Sequence, residues 1–475
     1  MRIFHCLLIA IGLLSCESST PKQTAVLGQP NIIFIMADDL GYGDLGCYGQ
    51  QKIKTPNLDR MAAEGMRFTQ FYAGTSVCAP SRSVLMTGLH TGHTPIRGNF
   101  QFRSRNGQLP LPDSLMNLPE TLKAVGYRTG MIGKWGLGDP NTEGAPLKQG
   151  FDHFFGYTDQ VLAHNYYPEY LWRNGEKIYL QNKVVYLDST LWHKGLGSYS
   201  TEKVEYSHDL FEAEAKQFIT SSGDQPFFLY LPLTIPHDNG EALENLRQEV
   251  PEQGIYAGLD WEREAKDYAA MVTRMDASVG VLLDLLKQQD IASSTVVFFT
   301  SDNGSMRNRS YTDFLDSNGP LRGGKRDLYE GGTRVPFIAW WPGKIKSGST
   351  SNFVGAFWDV LPTCAKLAGS ELPPAVDGLS MVPTLLSSGE QAKHDWLYWE
   401  FHEQGGKQAL IQGPWKAIRL DAKANPEGPL QLYNLDQDLG EEQDLAQQYP
   451  EKVEELSGLM TQARTPSDHF PFGAQ

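Results

Sequence analysis

Asn31-Ile32-Ile33-Phe34-Ile35-Met36 is a short run of apolar, β-branched and aromatic residues, and Ala37-Asp38-Asp39 closes it with two carboxylates. A run this short, without polar alternation, reads as a strand buried on both faces, the kind found inside parallel sheets. The pattern returns at Thr295–Thr300, which leads into Ser301-Asp302-Asn303-Gly304. Pro226–Leu233 and Tyr127–Ile132 read as further strands. Helical periodicity lies between them. In Ala265–Gln289, Tyr268, Met271, Val272, Met275, Val279, Leu282 and Leu286 recur at three- and four-residue spacing, the stripe of an amphipathic helix. Asn57–Met66 and Asp209–Ile219 are predicted helices too. Strands alternating with helices over roughly 300 residues predict an α/β fold, a mostly parallel sheet covered by helices on both faces.

The last ninety or so residues differ in character. Trp396–Phe401, Gln408–Gln412, Trp415–Leu420 and Leu430–Asn434 are short predicted strands separated by turn residues, and a helix, Glu451–Arg464, follows. This predicts a small C-terminal subdomain, residues 390–475, with an antiparallel sheet and a helix. Residues 30–389 are the expected larger domain.

The chain has 475 residues, 40% hydrophobic, with 41 Lys plus Arg against 56 Asp plus Glu, a formal charge of −15. Without clustered basic residues it is a poor partner for nucleic acid. Aromatics at 11%, with 47 glycines and 28 prolines, argue for a loop-rich globular enzyme. Residues 1–16 carry Arg2, an apolar run from Cys6 to Leu14, and Ser15-Cys16. The run is too short to span a bilayer and reads as a secretion signal. Leu13-Leu14-Ser15-Cys16 resembles a bacterial lipobox, which makes Cys16 the lipidated residue and 17–29 a tether; an ordinary cleaved signal is the alternative. The expected location is the bacterial periplasm or cell surface, with the membrane reached only through that lipid anchor. In an oxidising compartment Cys47 could pair with Cys364.

In open α/β sheets, chemistry sits beyond the carboxyl ends of the strands. Asp38, Asp39, Asp302 and Asn303 stand at two such ends and offer hard oxygen donors, which suit Ca²⁺ or Mg²⁺ and not zinc. Each motif alone reads more readily as a turn or a helix cap. Together, each directly after a buried strand, they favour a metal.

Ser76-Val77-Cys78-Ala79-Pro80-Ser81-Arg82-Ser83-Val84-Leu85-Met86-Thr87-Gly88 resembles the type I sulfatase motif C-x-P-S-R-x-x-L-x-T-G at every specified position. By composition such a string should arise with a probability on the order of 10⁻⁸ per start position. Gly133-Lys134-Trp135, Thr234-Ile235-Pro236-His237, Pro320–Lys325 and Glu330–Pro336 are similar to later blocks of that family, in order, and Asp359–Thr363 and Trp415-Lys416 to weaker ones. The resemblance implies an alkaline-phosphatase-like fold. It also implies that a maturation enzyme oxidises Cys78 to formylglycine, and that Asp38, Asp39, Asp302 and Asn303, with residue 78, hold one Ca²⁺.

A sulfate monoester resists hydrolysis because its oxygens repel nucleophiles and its leaving alkoxide is poor. The resemblance distributes the remedies. One hydroxyl of hydrated formylglycine attacks sulfur and the other later expels sulfate. Arg82 fixes the hydrate, Lys134 and Lys325 bind sulfate oxygens, and His237 protonates the leaving oxygen. One position departs. The family reads G-K-W-H-L-G where this chain has Gly133-Lys134-Trp135-Gly136-Leu137-Gly138. His164 is the first candidate to replace the missing histidine and His93 the second; either could equally contact substrate.

Specificity must come from loops. Candidates lie in Thr94–Arg103, Gln160–Tyr167 and Glu400–Glu403, with Arg97, Asn99, His164 and His402 the residues expected to face a sugar. An acidic envelope protein would repel long sulfated polymers, so the expected partner is the end of a short sulfated glycan, attacked in exo fashion. The resemblance is to enzymes of galactose and N-acetylgalactosamine 4- or 6-sulfates. Two alternatives stand beside it: a phosphomonoester or phosphonate hydrolase of the same superfamily, and a non-catalytic glycan-binding lipoprotein, suggested by Gly136.

Overall fold

The computed structural model describes residues 28–99, 109–187, 197–242 and 246–473. The signal, Cys16, residues 17–27 of the tether and residues 100–103 of the first candidate loop lie outside them. Ten strands form one sheet. From one edge they run Ser349–Ser351, Met66–Phe68, Phe337–Trp340, Thr295–Ser301, Asn31–Ala37, Phe227–Pro232, Arg128–Lys134, His153–Tyr157, Tyr170–Arg173 and Glu176–Tyr179. The five strands from Thr295–Ser301 to His153–Tyr157 are parallel, in registers such as Ile32↔Phe228 and Ile32↔Val296. Antiparallel strands flank them on both sides. The sheet is therefore mixed, with the expected parallel centre.

The central strand shows why an unbroken apolar run was needed. Ile32, Phe34 and Met36 point into one core, and Ile33, Ile35 and Ala37 into the other, all fully buried. Each large side chain buried this way contributes about 1.5–3 kcal/mol. Helices Cys78–Thr87, Leu118–Lys123 and Val360–Ala368 cover the first face; Pro56–Glu64, Ser207–Thr220 and Arg263–Gln288 cover the second. Among the described residues no helix is long and apolar enough to cross a membrane.

Leu397–Phe401, Lys407–Gln412, Trp415–Leu420 and Leu430–Asn434 make a four-stranded antiparallel meander. Strict alternation gives it two faces. Leu397, Trp399 and Phe401 enter the first core of the large sheet, whereas Tyr398, Leu410 and Leu432 pack on Leu456 and Met460 of helix Pro450–Gln462. The two sheets thus share a core.

The Cys47–Cys364 pairing does not form, and both thiols are free. Cys364 belongs to the first core and Cys47 borders the second, so the large sheet stands between them.

Candidate active site

Each chemical residue arrives from a place that the chain's local physics fixes. Asp38 directly follows the strand Asn31–Ala37, Asp302 follows Thr295–Ser301, and Lys134 is the last residue of Arg128–Lys134. Three parallel strands thereby deliver them to one edge. Cys78 opens helix Cys78–Thr87. The motif around it reads as structure. Pro80 sits in the first turn, where its missing N–H costs nothing. The hydroxyl of Ser81 donates to Asp302 O at 2.6 Å, tying the helix to the metal-type strand end. Gly88 ends the helix at φ +68°, the left-handed cap that glycine adopts freely. Asn99 Oδ1 accepts the Ala79 N–H at 3.0 Å, satisfying an open donor of the first turn.

Around Cys78 the charges interlock. Arg82 Nη2 donates to Asp302 Oδ2 at 2.8 Å and Nη1 to the Lys134 carbonyl at 2.5 Å. Lys134 Nζ lies 2.6 Å from Asp38 Oδ2 and 3.7 Å from the Cys78 Sγ. Lys325 Nζ donates to Asp39 Oδ2 at 2.7 Å and to His237 Nε2 at 2.8 Å. Asp39 is held at φ 65°, and its N–H donates to Asp302 Oδ1 at 3.2 Å. A non-glycine residue in that region marks an over-determined site. All of these groups are buried.

Burial alone would raise every one of the carboxyls. It pushes Asp302 up to about 7, with the Asp38 charge adding to the effect, and it raises Asp39. For Asp38 the cations Lys134, Arg82 and Lys325 outweigh burial and hold its carboxyl well below the usual range. Burial, then the charges of Lys325 and His164, depress His237 far below an ordinary histidine, so it is neutral. Its Nδ1–H donates to Asp238 O at 2.6 Å, which leaves Nε2 as the acceptor for Lys325. Burial lifts the Cys78 thiol to about 12, so an unmodified thiolate is not favoured here.

The donor set fits a hard divalent cation. Three carboxylates converge with Asn303, whose Nδ2 donates to Asp39 Oδ1 at 2.7 Å while its buried Oδ1 has no hydrogen-bond partner. An orphaned amide oxygen among buried carboxylates is what an oxygen-coordinated ion would satisfy. The ligand atoms of Asp38, Asp39, Cys78 and His237 also lie within 4.8 Å of one another.

A cleft of ≈ 380 Å³ opens over Cys78. His164 lines it, stacked on His237 with ring centroids 4.3 Å apart and 13° between planes, its Nδ1 2.9 Å from Glu241 Oε2. Asn99 lines it too. Three other expected residues do not. Arg97 is buried, its guanidinium spent on Thr94 O, Thr465 and Glu400. His402 donates towards Glu400 and stacks on Phe472. His93 pairs with Asp377 at 3.0 Å beside His90, past the far end of the Cys78 helix. In each case a carboxylate captures the side chain: Glu400 holds Arg97 and, two residues on, His402, and Asp377 holds His93. The cleft instead presents Gln160, Glu241, Arg309, Arg326 and Glu403. Arg326 and Glu403 adjoin Lys325 and His402 in sequence, which is the signal that could have flagged them.

The Gly136 departure has a structural counterpart. Gly136 lies at φ +75°, and a Cβ there would come 2.7 Å from Gln160 Cγ and 2.8 Å from its Cδ. The Gln160 side chain fills the space that a side chain at 136 would enter.

A metal-type carboxylate cluster, four cationic or proton-bearing side chains and a cysteine at a helix start define a hydrolase of anionic esters. The sulfatase family description matches residues 30–370, and the N-sulphoglucosamine sulphohydrolase C-terminal description matches 323–464. The chain belongs to the sulfatase family, the sulfuric ester hydrolases. It is 35% identical to human N-acetylgalactosamine-6-sulfatase over 75% of its own length and 66% of that protein's, so it spans about two thirds of that relative. It is 30% identical to the N-acetylgalactosamine-6-O-sulfatase of Bacteroides thetaiotaomicron over 97% of this chain and 98% of that one. Among solved structures, Ps i-CgsB in complex with k-i-k-neocarrahexaose superposes with a TM-score of 0.75 at 27% identity, covering 91% of this chain and 92% of that one.

Proposed function

We propose that the protein removes sulfate from a carbohydrate sulfate monoester, with formylglycine made from Cys78 by a maturation enzyme and one Ca²⁺ held by Asp38, Asp39, Asp302 and Asn303. The observation that carries this reading is the convergence of Arg82, Lys134, Lys325 and His237, from four separate segments, around residue 78 and three buried carboxylates. When present, the cation supplies Lewis acidity to a sulfate oxygen and the hydrated aldehyde supplies the nucleophile.

The chain's own residues do the rest. Lys134 and Lys325 already sit as buried ammonium groups beside the residue 78 side chain and bind the non-bridging sulfate oxygens as point charges. Arg82 pins the end of the Lys134 strand to Asp302, so the Cys78 helix and two strand ends move as one body. Lys325 Nζ and His237 Nε2 hold a proton between them, and the pair delivers it to the leaving sugar oxygen. Glu241 orients His164, and the stacked His164 ring keeps His237 in plane. His164, not His93, is therefore the residue that compensates for Gly136.

The cleft volume suits one or two sugar rings. The names of the relatives favour an N-acetylgalactosamine 6-sulfate, and the sequence resemblance adds a 4-sulfate as the second choice. The charge of −15 favours short glycan ends over long sulfated polymers. The Cys16 lipobox reading places the enzyme at a bacterial envelope. Matured protein should release sulfate from N-acetylgalactosamine 6-sulfate, stop on chelation and resume with Ca²⁺. Undiminished turnover in chelator would remove the metal from the scheme.

A further inference from the structure

Arg326 directly follows Lys325 and holds its backbone at φ +73°, a region glycine occupies freely and a β-carbon opposes. The backbone is clamped there. Its N–H donates to Ser76 O at 2.9 Å, and its carbonyl accepts Lys407 Nζ at 2.6 Å. An arginine kept at a glycine conformation points to a use for its side chain. That side chain lines the cleft beside Cys78, opposite Glu403. Arg326 Nε and Glu403 Oε2 are 3.5 Å apart, too far for a good hydrogen bond. The loose ion pair leaves the Arg326 guanidinium without a close hydrogen bond to Glu403, and Glu403 Oε1 is buried without a hydrogen-bond partner. Both residues line the same cleft. The other rim arginine, Arg309, is closed off by Asp238 at 2.6 Å, and Glu241 is engaged by His164.

We propose that Arg326 and Glu403 read free hydroxyls on the sulfated sugar, and that Glu403, with Asp238 and Glu241, rejects a second sulfate on it. This rests on the sulfatase reading above. A sugar diol both donates and accepts, which matches a guanidinium beside a carboxylate. A second sulfate only accepts and carries charge, and the three cleft carboxylates Glu403, Asp238 and Glu241 outnumber Arg326, the one rim arginine left to serve it.

The test compares kcat/KM of the matured full chain for N-acetylgalactosamine 6-sulfate, its 4-deoxy analogue and its 4,6-disulfate, with thermal melts of each variant. The parent should prefer the monosulfate by roughly tenfold or more over both others. Glu403→Gln should narrow the gap to the disulfate. Arg326→Gly should raise KM for the monosulfate roughly tenfold while leaving Tm equal or higher, because the left-handed backbone is relieved. Equal kcat/KM across the three sugars in parent and variants overturns the proposal while leaving the sulfatase reading intact. A lowered Tm with unchanged KM in Arg326→Gly overturns it in favour of a structural role. Absence of sulfate release from every sugar, with formylglycine present at residue 78, overturns both.

Discussion

Gly136 and Gln160 behave as one unit, and their coupling gives the sharpest test at the scale of single residues. Restoring the family histidine with Gly136→His puts a Cβ into Gln160 and a side chain at φ +75°. Turnover should fall at least about tenfold and Tm should drop, since overpacking a filled site costs about 1–3 kcal/mol. Adding Gln160→Ala should recover much of the lost stability, which melts of the single and double variants will show. His164→Ala should lower kcat at least about tenfold with little change in fold, because His237 loses the ring that stacks on it. An unchanged rate would remove His164 from the mechanism. Asp38 was legible as a carboxylate closing an apolar strand, and Lys134 as part of a motif block. Arg97 and His402 look like free loop residues, but Glu400, far from Arg97 in sequence and two residues before His402, holds both side chains away from the cleft.

Elements are joined by buried charge. Lys416 of the C-terminal sheet is fully buried between Glu330 at 2.8 Å and Glu441 at 2.9 Å, and Glu330 also meets Arg334. Burial lifts Glu441 to about 7 against the pull of Lys416. Lys416→Met should cost about 3–5 kcal/mol in urea unfolding, because two carboxylates lose their shared partner. His394 anchors the same region by donating to Asp359 Oδ1 at 2.8 Å. Burial opposes its charge, but Asp359 outweighs burial and raises its folded pKa above the ordinary histidine value. A raised folded pKa gives stability that is complete below about pH 6.5 and fades as pH rises through the folded value. Melts of His394→Asn against the parent should therefore differ most near pH 6 and converge as pH passes the raised folded value. A constant difference would mean that the contact does not depend on the charge. Four of the five parallel strands were legible because burial on both faces demands an unbroken apolar run; the fifth, His153–Tyr157, was not read. The flanking strands Met66–Phe68 and Ser349–Ser351 were not, since three residues carry no period and their pairing is set by the sheet they join.

Across the whole molecule, the parallel centre brings strand ends together, the Cys78 helix is latched onto two of them, and the C-terminal sheet closes the cleft with Glu403. The motif blocks were legible because each holds its residues in a few consecutive positions. Of the rim, the Gln160–Tyr167 and Glu400–Glu403 segments were legible, whereas Glu241 and Arg309 were not, because they reach the site only when distant loops fold over it. The central claim is that residue 78, as formylglycine, is where a sulfate ester is broken. One measurement addresses it directly: mass-spectrometric determination of formylglycine at residue 78, paired with sulfate release from N-acetylgalactosamine 6-sulfate and phosphate release from the matching phosphate ester, in parent and Cys78→Ala. The account predicts release of sulfate in preference to phosphate by converted parent, and loss of at least about 10³-fold in Cys78→Ala. Fully converted protein that releases phosphate faster than sulfate, or Cys78→Ala that retains the parent rate, would contradict it.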